Sequence, residues 1–142
     1  MKRALVTGGS GGIGAAICKR LAADGHHVIV HANRSRDKAD TIVAEITAAG
    51  GSAEAVAFDI TDRAATNTAL EALSEAGSIQ ILINNAGCSW GAPAEDMTDE
   101  AWHKVMDLDI SAQFFLSREI GKRSMIPNGG GKSRAAAAQY CS

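Results

Sequence analysis

Short apolar runs alternate along the chain with stretches whose apolar residues recur every three or four positions, and glycine marks most of the joins. Arg3–Thr7 predicts a first strand. Gly12–Asp24 predicts a helix with Ile13, Ala16, Ile17 and Leu21 on one face, and Gly25 stands where a left-handed cap belongs. His27–His31, rich in β-branched residues, predicts a second strand. A second helix is expected from Arg36 to about Ala49, with Ser35 as N-cap and Ala39, Ile42, Val43 and Ile46 at helical spacing. Ala53–Phe58 predicts a third strand. Thr61 can cap a third helix that reaches about Ala76, with Ala69, Leu70 and Leu73 turned inward. After Gly77, Ile81–Ile83 predicts a fourth strand.

Strands that alternate with helices pair in parallel through right-handed crossovers, so the fold class is α/β with a doubly wound parallel sheet. A longer helix is predicted from Thr98 to about Met125, before Pro127 and Gly129-Gly130-Gly131. Its apolar set includes Trp102, Val105, Met106, Leu108, Ile110, Ala112, Phe114, Phe115, Leu116 and Ile120, which is wider than one stripe against a sheet requires. Either the helix is thickly buried or a second face packs on another subunit. The spacing of Trp102 from Val105 and Met106 favours the core for that ring. Beyond Lys132 the pattern breaks. Residues 133–142 could be a short helix, an improvised strand or disorder; because four alanines suit a strand poorly, an irregular tail, disordered or a frayed helix, is the expectation. Residues 1–132 then form one α/β unit of about four strands and a long fourth helix, with Ile81-Leu82-Ile83 left as an open sheet edge.

With 142 residues and 46% hydrophobic content, the chain can build one cored domain. A net charge of −2 gives no basic footprint for nucleic acid and no cationic face for a membrane. No apolar run approaches the roughly 18 residues of a spanning helix, and Ala4-Leu5-Val6 is too short for a signal-peptide core. Cys18, Cys88 and Cys141 read as free thiols, which places the protein in the cytoplasm. The cysteines lack ligand spacing and His26, His27, His31 and His103 are scattered, so no metal site is expected.

The chemistry concentrates in Thr7-Gly8-Gly9-Ser10-Gly11-Gly12-Ile13-Gly14, between the first strand and its helix. A glycine turn there lets backbone N–H groups and the positive helix end approach a diphosphate closely. The second strand runs into His31-Ala32-Asn33-Arg34-Ser35-Arg36, with no carboxylate to hold ribose hydroxyls. The fork of Arg34 suits a 2′-phosphate, and Asn33 and Ser35 add neutral donors, so NADP(H) is favoured over NAD(H). The bland alternative makes Arg34 and Arg36 solvated loop charges, and for Arg36 it is preferred. Asp59 either bonds an adenine amino group or serves its own turn, whereas Asp62 suits a first helical turn. Trp90 either lines a substrate site or packs its loop.

With the glycine turn, Asp59 and Asn84-Asn85-Ala86-Gly87 at the end of the fourth strand, the chain resembles the classical short-chain dehydrogenase/reductases. Within that family the turn and Asn33-Arg34 look most like bacterial 3-oxoacyl-(acyl-carrier-protein) reductases. The resemblance covers Met1 to about Lys132, the N-terminal half of a full-length member. It implies a Rossmann-like sheet of order 3-2-1-4 continuing outward, with the cofactor over the crevice between strands 1 and 4. Gly8, Ser10, Gly11, Gly12, Ile13 and Gly14 would hold the diphosphate and its ribose. Asn33, Arg34 and Ser35 would meet the 2′-phosphate, Asp59 and Ile60 would flank the adenine, and Asn85, Ala86 and Gly87 would form the floor. The family's reaction is hydride transfer between nicotinamide and a carbonyl or hydroxyl, with a tyrosine, a lysine four residues later, a serine and a helix asparagine.

That machinery is not in this sequence. The single tyrosine, Tyr140, is followed by two residues, and nothing positions Ser133. Asp109 occupies the position of the helix asparagine. An ionised aspartate donates no side-chain hydrogen bond, so a carboxylate meeting a water or a backbone amide stands at least level with a catalytic role there. The sequence looks like a chain cut short. Its expected roles are an NADP-dependent oxidoreductase by family, a non-catalytic nucleotide binder, or a fragment that self-associates through the long helix. In complete form the expected substrate is a small carbonyl or an acyl-carrier-linked chain.

Overall fold

The computed structural model describes residues 1–136. Five strands form one parallel sheet: β1 (Arg3–Val6), β2 (His27–Ala32), β3 (Ser52–Ala57), β4 (Ile81–Asn84) and β5 (Lys132–Ala135), in the order β3-β2-β1-β4-β5. The helices between them are α1 (Gly12–Ala23), α2 (Arg36–Ala48) and α3 (Arg63–Glu75), then α4 (Asp99–Met106) and α5 (Ala112–Ile120). Thus the expected Rossmann-like doubly wound sheet is present.

Alternation along the strands sorts the core into two layers. Val6, Val28 and Val30 face Cys18 and Ala22 of α1 and Ala39, Ile42 and Ile46 of α2. Leu5, Ile29 and Leu82 face Leu70 and Leu73 of α3 and Leu116 and Ile120 of α5. Burying each such Leu or Ile contributes roughly 1.5–3 kcal/mol. Both faces of the sheet are therefore apolar, which is why β1, β2 and β4 read as continuous hydrophobic runs.

Three expectations about these elements fail. The α3 cap is Asp62, whose Oδ1 accepts the Ala65 N–H at 3.0 Å, and not Thr61, which is tied into a turn on Asp59. Ser35 precedes α2 but makes no side-chain capping bond. Residues 133–135, expected to be irregular, join Lys132 in β5. Lys132 N–H donates to the Gln80 carbonyl at 2.9 Å and Ala136 N–H to that of Asn84 at 3.0 Å. The open edge of β4 offers backbone partners to any extended segment, and that outweighs the poor strand preference of alanine. Ser133 is accordingly positioned, with its Oγ 3.5 Å from Asn84 Nδ2. The expectation for the rest of the tail, Tyr140 included, lies outside the described residues.

The long helix is continuous but changes pitch, with π-helical stretches at Asp107–Ser111 and Gly121–Met125. Thr98 caps it, as its Oγ1 accepts the Ala101 N–H at 3.1 Å. The buried stripe runs through Ala101, Ala112, Leu116 and Ile120. Trp102, expected inside, is 56% exposed, with Ile110 at 56% and Phe114 at 59%. The helix carries two apolar stripes, and the one turned into the core is the smaller, aliphatic one. Cys18 is a buried free thiol pushed up to about 12 by its burial, and the expectation for Cys141 lies outside the described residues. No helix among the described residues is long and apolar enough to cross a membrane.

Candidate functional site

The chain leaves β1 through Thr7, which is buried and acts as a hub. Its Oγ1 accepts the N–H groups of Asn85 and Ala86 at 3.0 Å each and lies 3.3 Å from the Ile83 carbonyl. This ties the end of β1 to the end of β4. Gly8 follows with φ +63°, a conformation that a side chain strains. Its carbonyl accepts Asn85 Nδ2 at 3.1 Å and the Gly11 N–H at 3.2 Å, and its own N–H donates to His31 Nδ1 at 3.1 Å. A Cβ on Gly14 would overlap the Gly8 carbonyl and come within 2.7 Å of Asn85 Nδ2. Gly14 is therefore what lets α1 sit on the turn. No side chain caps α1 at Gly11, so its first-turn amides remain open toward the turn.

Beside this turn lies a cleft of about 620 Å³, at the carboxyl ends of β1 and β4. The winding reverses there, because β1 neighbours β2 on one side and β4 on the other. Of the residues expected at the site, Gly8, Ser10, Gly11, Asn33, Arg34, Asp59, Ile60, Asn85, Ala86 and Gly87 line it. Gly12, Ile13, Gly14 and Ser35 do not. Gly12, Ile13 and Gly14 form the start of α1 behind the turn, and Ser35 sits exposed before α2.

Arg34 is exposed and makes no ion pair among the described residues, while Arg36 pairs with Asp40 at 3.7 Å. Asp59 Oδ1 accepts both the Thr61 N–H at 2.9 Å and the Thr61 hydroxyl at 2.6 Å, so one carboxylate oxygen serves the local turn. Asp109 lies in the first π-helical stretch, away from the cleft lining, and its Oδ1 accepts the Cys88 N–H at 2.7 Å. The expected backbone-amide role holds for it. Trp90 is partly exposed, with Lys104 Nζ 5.3 Å from its ring centre.

Sequence reading missed His31, Thr61, Lys104, Asp107 and Leu108, which also line the cleft. His31 is 1% exposed. Its Nε2 lies 2.7 Å from the Phe58 carbonyl, an acceptor only, so Nε2 carries the proton and Nδ1 accepts from Gly8. Burial lowers its pKa to about 4, keeping the ring neutral. The apolar run His27–His31 gave no sign of this, because the partners lie at the far ends of two other strands. Among the described residues no cluster of His, Cys, Asp and Glu could hold a metal ion.

A dinucleotide fits these residues. The turn is bare where a Cβ would fill it, helix amides are open, and Asn85 Oδ1 is buried without a hydrogen-bond partner among the described residues.

Comparison with known proteins agrees. Residues 2–133 match the family model for short chain dehydrogenase. The gluconate 5-dehydrogenase of Gluconobacter oxydans (strain 621H) is 38% identical over 131 residues, covering 92% of this chain and 50% of the relative. A gluconate 5-dehydrogenase from Burkholderia cenocepacia J2315, solved with NADP and tartrate, superimposes with a TM-score of 0.87 at 30% identity, over 94% of this chain and 52% of that one. A metagenomic short-chain oxidoreductase solved with NADP gives a TM-score of 0.87 at 34% identity, over 94% of this chain and 61% of that one. The chain spans about half the length of the curated relatives it matches. The glycine turn, the strand order and these matches together make the chain a member of the short-chain dehydrogenase family.

Proposed function

We propose that this chain is the NADP(H)-binding part of an oxidoreductase that moves a hydride between nicotinamide and a carbonyl or hydroxyl carbon. One observation carries the reading: an open glycine turn and Arg34, which makes no ion pair among the described residues, line the same cleft at the switch point of the sheet. The amides of Ser10, Gly11, Gly12, Ile13 and Gly14 would hold the diphosphate. Arg34, flanked by Asn33 and Ser35, would hold the 2′-phosphate by charge-assisted bonds. Asp59 and Ile60 would flank the adenine, and Asn85, Ala86 and Gly87 would form the floor. Gly8 would act through its shape, since its N–H is already used by His31.

The bound nucleotide supplies or accepts the hydride. Protonation of the carbonyl oxygen requires an acid, which the family resemblance assigns to a tyrosine four residues ahead of a lysine. The 142 residues contain no such pair, so they would bind without turnover.

For the complete activity, the gluconate 5-dehydrogenases among the relatives support a sugar-acid hydroxyl. The resemblance of the glycine turn and Asn33-Arg34 supports a 3-oxoacyl chain as the second reading. A cytoplasmic setting and self-association through the exposed stripe of the long helix belong to the same proposal.

Calorimetric titration with NADP and NAD tests it. NADP should bind about 10- to 100-fold more tightly, and Arg34→Ala should bring the two together. Equal affinities in the unaltered chain would remove Arg34 from its role. Steady NADPH oxidation by the 142 residues, with a keto sugar acid or a 3-oxoacyl thioester, would overturn the reading of binding without turnover.

A further inference from the structure

We propose that His31 is a positioning residue for the dinucleotide turn, bridging Gly8 to the end of β3. This rests on reading the cleft as a dinucleotide site. Gly8 is held on both sides. Its carbonyl is taken by Asn85 and Gly11, and its N–H by His31 Nδ1 at 3.1 Å. On the opposite side of the ring, Nε2–H donates to the Phe58 carbonyl at 2.7 Å, and the ring packs on Phe58 with centres 4.5 Å apart. Asp59 follows Phe58 directly and lines the same cleft. One neutral imidazole thus links the segment expected at the diphosphate to the segment expected at the adenine. The Gly8 N–H faces the ring and not the cleft, so its bond to His31 fixes the turn without competing for a phosphate.

The two ring nitrogens do different work, and substitutions can separate them. His31→Asn keeps an acceptor near the Nδ1 position. His31→Gln keeps a donor near the Nε2 position but leaves the Gly8 N–H without its partner. If the turn then samples other conformations, apparent affinity falls in proportion to the competent fraction.

The test uses the full 142-residue chain. NADP⁺ affinity is measured by calorimetry, amide exchange at Gly8 by NMR, and cooperative melting serves as a control for folding. His31→Asn should stay within about threefold of the parent, while His31→Gln should bind about tenfold more weakly and exchange its Gly8 amide about tenfold faster. Equal loss in both variants, or none in His31→Gln, would overturn the proposal. Should His31→Gln fail to fold, the parent chain still decides: a Gly8 amide that exchanges as fast as that of Ser10 means the bond is not there. Failure of the parent chain to bind NADP⁺ would instead remove the dinucleotide reading, and His31's role with it. A protected Gly8 amide in that case would mark a purely structural bond.

Discussion

Gly14 has no room for even a methyl group, because the Gly8 carbonyl stands where a Cβ would go. Gly14→Ala should therefore push α1 off the turn, lowering the melting temperature and removing measurable NADP binding. Retention of both would mean that the close approach is not needed. His31 makes a separate, pH-dependent prediction. Its pKa is about 4 in the folded chain against an ordinary value of 6.5, because burial penalises the charged ring. Between those values the unfolded chain takes up a proton that the folded chain refuses. The contribution is complete above about pH 6.5, declines as pH falls, and is gone by about pH 4. It amounts to on the order of 3 kcal/mol. Asn does not titrate, so the stability difference between the parent and His31→Asn should shrink in that direction across that window in denaturant titrations. A difference that does not change with pH would show that the ring is not held neutral.

Helix ends were legible where a side chain and its partner lie within one turn. Thr98 is such a case, and its bond to the Ala101 N–H is present. At α3 two adjacent candidates competed, and Asp62 took the role because Thr61 was already bound to Asp59. Asp62→Ala should cost about 1 kcal/mol in equilibrium unfolding, and Thr61→Ala less than Asp62→Ala. The long helix was legible as a helix but not in its facing. Its two apolar stripes have the same periodicity, so spacing alone could not choose between Ala101-Ala112-Leu116-Ile120 and Trp102-Ile110-Phe114. β5 was weighed as an improvised strand but not preferred, for a related reason. Its pairing uses backbone groups, which no side-chain pattern reports, and all four of its side chains are exposed.

Across the fold, the exposed stripe of Trp102, Ile110 and Phe114 is an apolar surface that sheet packing does not use. Self-association through it predicts a concentration-dependent sedimentation coefficient, and Phe114→Ser should move the population toward monomer. A parent chain that stays monomeric at all concentrations would count against it. Because β5 covers β4, association by edge-to-edge pairing of β4 is not expected. The new edge carries Lys132 and Arg134, whose charge discourages strand addition.

The glycine turn beside the cleft follows from local order. A strand, a run of glycines and a helix start are contiguous, and glycine's freedom acts at the residue that carries it, so Gly8 to Gly14 and the cation at Arg34 could be read directly. The cleft's remaining walls come from segments far apart in sequence. His31 meets Phe58 across 27 residues, and Asn85 meets Gly8 across 77. Such pairings arise when the whole sheet assembles, and they fixed the neutral histidine, the Thr7 hub and the covered edge of β4.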